Sequence, residues 1–182
     1  MTPTNFVDRR PALQLAPQAF PLVLAIGPTA IAVRTGLLVD YCERANRMTP
    51  RTYEGSCHCG NIRYEAAIDL AQGTGKYNCT FCTKARAWKV FVKPASFRLL
   101  SGSYDAVGYR KHPQASLKYF CKTCGVRTHA LGSADYMGGD FVGIFISVLD
   151  HTEPEDLAAA PVRYADSRNN NWRNPPLFAD HL

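Results

Sequence analysis

The chain has 182 residues, of which 46 % are hydrophobic and 20 % charged. That is enough for one core of ordinary size, and it excludes a disordered or fibrous chain. Lys and Arg exceed Asp and Glu by six, a mild surplus that reads as solvated charge and not as a nucleic-acid surface.

Residues 1–47 differ from the rest, being rich in Ala, Leu, Val and Pro. An apolar run over 20–33 follows Arg9 and Arg10, as in a secretory signal. Pro21, Gly27 and Pro28 interrupt it and Arg34 ends it, so it is too broken to span a membrane. The stretch reads as an N-terminal extension, disordered or a mis-assigned start, with Met48 opening the domain proper. Cys42 lies in it and has no assigned role. The expected location is the cytoplasm.

From Thr52 onward the apolar residues follow a period of two. Ile62, Tyr64, Ala66 and Ile68 alternate with Arg63, Glu65, Ala67 and Asp69. Trp88, Val90 and Val92 alternate with Lys89, Phe91 and Lys93. Such alternation predicts half-buried antiparallel strands, with Lys89 on the wetter side. Residues 97–100, 104–109 and 116–121 read as further short strands separated by Gly, Pro and Ser turns. Residues 141–149 are almost wholly apolar, which suits a strand buried on both faces. Thr152-Glu153-Pro154-Glu155 fits a capping box with Thr152 as N-cap, opening a short C-terminal helix that Pro161 ends. The irregular tail after it is expected to wrap the core through Trp172 and Phe178. The fold class is therefore mainly β, over residues 48–182.

Six of the seven cysteines form close pairs, Cys57/Cys59, Cys79/Cys82 and Cys121/Cys124. Cysteines this near in sequence are poorly placed to bond one another, so the pairs point to metal. Cys121-Lys122-Thr123-Cys124-Gly125 has the spacing of a zinc knuckle, its glycine free to take positive φ. Cys57-His58-Cys59, read as a strand, places both sulfurs on one face and His58 on the other. The middle pair joins either outer pair on spacing alone. Six thiols cannot fill two four-sulfur sites, so one site is incomplete or one pair is idle. An incomplete zinc site with an open position is the form that catalysis uses. A redox dithiol at Cys79 and Cys82 is a third reading, without the βαβ setting such motifs usually occupy.

Gly55-Ser56-Cys57-His58-Cys59-Gly60, Cys79-Thr80-Phe81-Cys82, the segment 94–102 and Tyr119-Phe120-Cys121-Lys122-Thr123-Cys124-Gly125 occur in that order. Together they resemble the glutathione-dependent formaldehyde-activating enzyme family, which includes centromere protein V, over about residues 52–149. The resemblance implies a β-tent of antiparallel sheets stapled by a structural zinc on Cys57, Cys59, Cys121 and Cys124. It implies a second, catalytic zinc on a Cys-x-Cys-x-x-Cys motif whose last two members are Cys79 and Cys82. The first member falls on Tyr77, whose phenol is a poor zinc ligand at neutral pH. His129, just beyond the knuckle, is a candidate replacement.

The implied activity is a zinc-dependent carbon–sulfur lyase-type reaction, adding a small thiol such as glutathione to formaldehyde or another small aldehyde. Cys79 and Cys82 are the catalytic candidates, and Lys84 or Arg86 would meet a thiol's carboxylate. The alternative is a non-catalytic, zinc-stabilised binding module that has lost a ligand of its second site. No membrane partner is expected, nucleic acid is not favoured, and the oligomeric state is open.

Overall fold

The computed structural model describes residues 50–182, which lie within one compact unit. The expected extension over residues 1–47, and Cys42, lie outside the described residues.

Ten strands and two short helices follow in chain order: β1 (Arg51–Ser56), β2 (Arg63–Ile68), β3 (Thr74–Tyr77), α1 (Thr80–Ala85), β4 (Trp88–Val92), β5 (Phe97–Ser101), β6 (Ala106–Tyr109), β7 (Leu117–Cys121), β8 (Arg127–Ala134), β9 (Gly139–Phe145), α2 (Pro154–Ala159) and β10 (Val162–Ala165). The fold is mainly β. One sheet has three strands in the order β1-β2-β5. The other has seven, in the order β10-β3-β4-β9-β8-β7-β6. Among the described residues no helix is long and apolar enough to cross a membrane.

The two sheets face each other across the core. Tyr64, Ala66 and Ile68 of β2 are buried with Val90 of β4 and Val142 and Ile144 of β9. This follows from the period of two in β2, which puts alternate residues on the apolar side. β9 is buried on both faces from Phe141 to Phe145, as its unbroken apolar run requires.

Three expectations need correction. The sheets are not wholly antiparallel, because β10 runs parallel to β3. Pro161 ends α2, and its carbonyl accepts a hydrogen bond from the Thr74 N–H at 2.7 Å, so the returning chain enters the sheet edge in β3's direction. The N-cap of α2 is Glu153, not Thr152, and no side chain caps the helix. Pro154 fixes the first turn, so the residue before it becomes the boundary. In the tail, Trp172 packs against Tyr77 and Tyr136, whereas Phe178 is 74 % exposed.

Register fixes what lies on each face of the large sheet. Ile144 is opposite both Val90 and His129, and these residues point into the core. Phe145 is opposite Lys89, which is opposite Gly75, and these point outward. Lys89 is nevertheless only 7 % exposed, contrary to the sequence expectation, because α1 and several aromatic rings cover this outer face. Tyr77 lies flat over Gly75, where a Cβ would collide with the phenol. The sheet is thus covered on both sides.

His129 sits among aromatic rings, 4.8 Å from Tyr119, 4.9 Å from Phe97 and 6.2 Å from Tyr64 between centroids. Burial there pulls its imidazole down to about 4. In the unfolded chain a histidine takes its proton near pH ~6.5. Between those values the unfolded state binds a proton that the folded state refuses, so stability is full above pH ~6.5 and falls with acid. Urea unfolding should show wild type losing about 2 kcal/mol more than His129→Gln between pH 7 and pH 5. Equal losses in the two proteins would mean that the buried imidazole titrates normally.

Candidate metal centre and thiol pair

β1 ends at Ser56, and the chain then turns sharply instead of continuing as the strand expected at 57–59. The Gly60 N–H donates to the Cys57 carbonyl at 2.9 Å and the Cys57 N–H to the Ile62 carbonyl at 3.0 Å. Gly60 has φ 78°, a left-handed conformation that suits glycine. The turn lets the Ile62 N–H donate to the Cys57 sulfur at 3.3 Å. His58 stands exposed on the same turn, away from the sulfurs.

The second half of the centre is the knuckle between β7 and β8. The Gly125 N–H donates to the Cys121 carbonyl at 2.8 Å, with Gly125 at φ 73°. The sulfurs of Cys57, Cys59, Cys121 and Cys124 all lie within 4.8 Å of one another. Cys57 and Cys59 are 3.5 Å apart, and Cys59 and Cys121 are 3.6 Å apart. A tetrahedral zinc with Zn–S bonds of about 2.3 Å sets its sulfurs about 3.8 Å apart, so the residues fit that ion. Backbone N–H groups favour thiolates here: the Val126 N–H leads in bringing Cys124 down to about 6, and the Cys124 N–H leads in lowering Cys121. Ile62, Leu99, Ala106 and Val126 pack around the group. This cluster could hold a metal ion, and its ligands come from the ends of strands in both sheets.

Cys79 and Cys82 sit elsewhere, at α1. Cys79 is the N-cap, and its sulfur accepts the Cys82 N–H at 3.3 Å. The tail after β10 braces the motif. The Cys79 N–H donates to Ser167 Oγ at 3.0 Å, Asn78 donates to Asp166 at 2.6 Å, and the Arg168 N–H donates to Asn78 at 2.9 Å. A hydrogen bond from the Cys82 thiol, ahead of its backbone N–H and the charge of Lys89, brings the Cys79 thiol down to about 5. The same bond, with burial, pushes Cys82 up.

Lys89 Nζ lies 3.7 Å from the Cys82 sulfur. It also lies 5.3, 5.7 and 5.9 Å from the ring centroids of Phe145, Tyr77 and Phe81. Lys118 and Arg127 approach the Phe81 ring from β7 and β8, at 5.0 and 5.6 Å. Among the described residues none of these three cations has a carboxylate partner.

The ligand set expected for a second zinc is therefore short. Among the described residues, only the four-cysteine group gathers three or more Cys, His, Asp or Glu ligand atoms closely enough to share an ion. His129 does not join Cys79 and Cys82, because it leaves β8 on the inner face while Lys89 leaves β4 on the outer face. It lines an inner cavity of about 400 Å³ with Phe97, Leu99 and Tyr119 instead. Tyr77 does point to the outer face, but burial raises its phenol, so it stays protonated. Lys84 and Arg86 are exposed, and Arg86 donates to the His181 carbonyl.

A model of the glutathione-dependent formaldehyde-activating enzyme family matches residues 52–164, well over half of the chain. The chain belongs to this family. A Rhodobacter sphaeroides protein of known crystal structure is 24 % identical, covers 60 % of this chain and 99 % of its own, and superposes with a TM-score of 0.50. That likeness concerns the fold alone. All six paired cysteines fall inside the family match, whereas Asp166 and Ser167, which brace Asn78 and Cys79, lie beyond it.

Lys89, Lys118, Arg127 and Ser167, which lie around the Cys79/Cys82 motif, were not legible as candidate site residues. The available signal was Phe91: an aromatic residue beside Lys89 on the supposedly wet side of β4 marks a covered face. For the four-cysteine centre, Cys121→Ser should cost several kcal/mol, because the binding energy of a structural zinc adds directly to folding. Thermal melting by circular dichroism should show a large fall for this variant and for chelator-treated wild type. An unchanged melting temperature after the metal is stripped would contradict a structural role.

Proposed function

We propose that this protein adds a small thiol such as glutathione to formaldehyde or a similar small aldehyde, and runs the same carbon–sulfur cleavage in reverse. Zinc dependence enters through the fold, by way of Cys57, Cys59, Cys121 and Cys124, where the ion holds two turns together. The reacting groups are Cys79 and Cys82. Family membership over residues 52–164 supports the substrates, and the braced thiol pair supports the place.

In this reading Cys79 acts as the base. Its sulfur takes the proton of the incoming thiol. The resulting thiolate attacks the aldehyde carbon and a carbon–sulfur bond forms. The carbonyl π pair moves to oxygen, which recovers the proton from Cys79. Thiol and aldehyde become a hydroxymethyl thioether with atoms and electrons conserved, and no oxidant enters. Lys118 and Arg127, without carboxylate partners among the described residues, take the place first given to Lys84 and Arg86 as contacts for the thiol's carboxylates.

One observation favours a second reading, a zinc-stabilised binding module without catalysis: Tyr77 stands where the family motif has a cysteine. Exchange kinetics by nuclear magnetic resonance separate the two. The enzyme reading predicts faster formation of the glutathione–formaldehyde adduct than in protein-free buffer, with Cys79→Ser slower by about 10²-fold or more, the usual weight of a positioned base. A wild-type rate equal to that of buffer would leave the binding module.

A further inference from the structure

Lys89 is the least expected charge in the molecule. It leaves the centre of the large sheet on β4, is 7 % exposed, and faces no carboxylate among the described residues. A buried ammonium without compensation is strongly disfavoured. The compensation around it is specific. Three aromatic rings present their faces within 6 Å, a cation–π arrangement. The remaining partner is the Cys82 sulfur at 3.7 Å, itself beside Cys79.

This arrangement bears on whether a metal ion can share the pair. A zinc bound to Cys82 at about 2.3 Å would lie no more than about 6 Å from Lys89 Nζ, in a covered setting where like charges repel strongly. The third ligand position is taken by a protonated phenol, and among the described residues no histidine or carboxylate replaces it. The substitution at position 77 and the buried lysine therefore act in the same direction: one removes a metal ligand, and the other supplies a fixed positive charge.

We propose that the ammonium of Lys89, and not a second metal ion, is the cation set against Cys79 and Cys82, so that this pair works as a metal-free thiolate centre. Lys89 is then a positioning residue, holding negative charge on the Cys79 sulfur without touching substrate. The proposal concerns the same pair as the functional reading above, but it does not depend on which aldehyde or thiol is used.

The test uses the full chain, equilibrated with excess zinc and freed of loose metal by gel filtration. Metal content is measured by atomic emission, and alkylation of Cys79 by iodoacetamide at pH 5 is followed by mass spectrometry. Wild type should retain one zinc per chain, and Cys82→Ser the same one. Lys89→Met should keep that zinc, which reports an intact fold, yet slow Cys79 alkylation about fivefold, the loss of thiolate at pH 5 that a rise of one unit from about 5 produces. Lys89→Arg should restore most of the rate. Tyr77→Cys combined with Lys89→Met should gain a second zinc. Two zinc ions in wild type, with one lost in Cys82→Ser, would overturn the proposal. So would equal alkylation rates in wild type and Lys89→Met. Should Lys89→Met fail to fold, the metal counts of wild type and Cys82→Ser still decide. Neither readout involves glutathione or an aldehyde, so a chain inactive in the adduct assay leaves the result standing.

Discussion

Four thiol sulfurs drawn within 4.8 Å of one another are an electrostatic problem that the rest of the structure depends on solving. Backbone N–H groups push two of them toward the thiolate, and neighbouring thiolates repel. A divalent cation at the centre would turn that repulsion into attraction. Because Cys57 follows β1 and Cys121 ends β7, such an ion would tie the edge of the three-stranded sheet to the seven-stranded one. The core residues of β2, β4 and β9 meet between those sheets. A metal staple there would hold the scaffold on which everything else is arranged.

The large sheet divides the chemistry. Its inner face carries His129, Ile144 and Val90 against the small sheet. Its outer face carries Lys89, Tyr77 and Phe91 beneath α1 and the tail. Adjacent residues of β9, Ile144 and Phe145, make the switch between faces. This is why His129 and the Cys79/Cys82 pair cannot act together, although both were candidates for one site. It is also why a lysine in a central strand can be buried: it lies under a helix that the tail braces through Asn78, Asp166 and Ser167.

Much of this was legible in the sequence where a residue's role is local. The alternation in β2, the apolar run of β9 and the spacing and glycine of the Cys121 knuckle each express a backbone period or a turn, and the structure follows them. What was not legible depends on contacts that residue spacing alone does not specify. The turn at Cys57–Cys59 is fixed by Ile62, and its Cys-x-Cys spacing equally suits a strand. The outer cover of β4 is α1 and Tyr77, braced by Asp166 and Ser167 of the tail, together with Phe145 of β9, so Lys89 read as a solvent-facing charge. Placing His129 required the strand register, which no spacing rule supplies across a bulge such as that between Lys118 and Phe120.

On the proposed reading, one zinc would be held by the sulfurs of Cys57, Cys59, Cys121 and Cys124 alone, with no second site. X-ray absorption at the zinc edge on the metal-replete full chain measures that directly. The account predicts a single shell of about four sulfurs at about 2.3 Å with no nitrogen or oxygen scatterer. A mixed shell, with an average sulfur number clearly below four and light-atom ligands at about 2.0–2.1 Å, would contradict it.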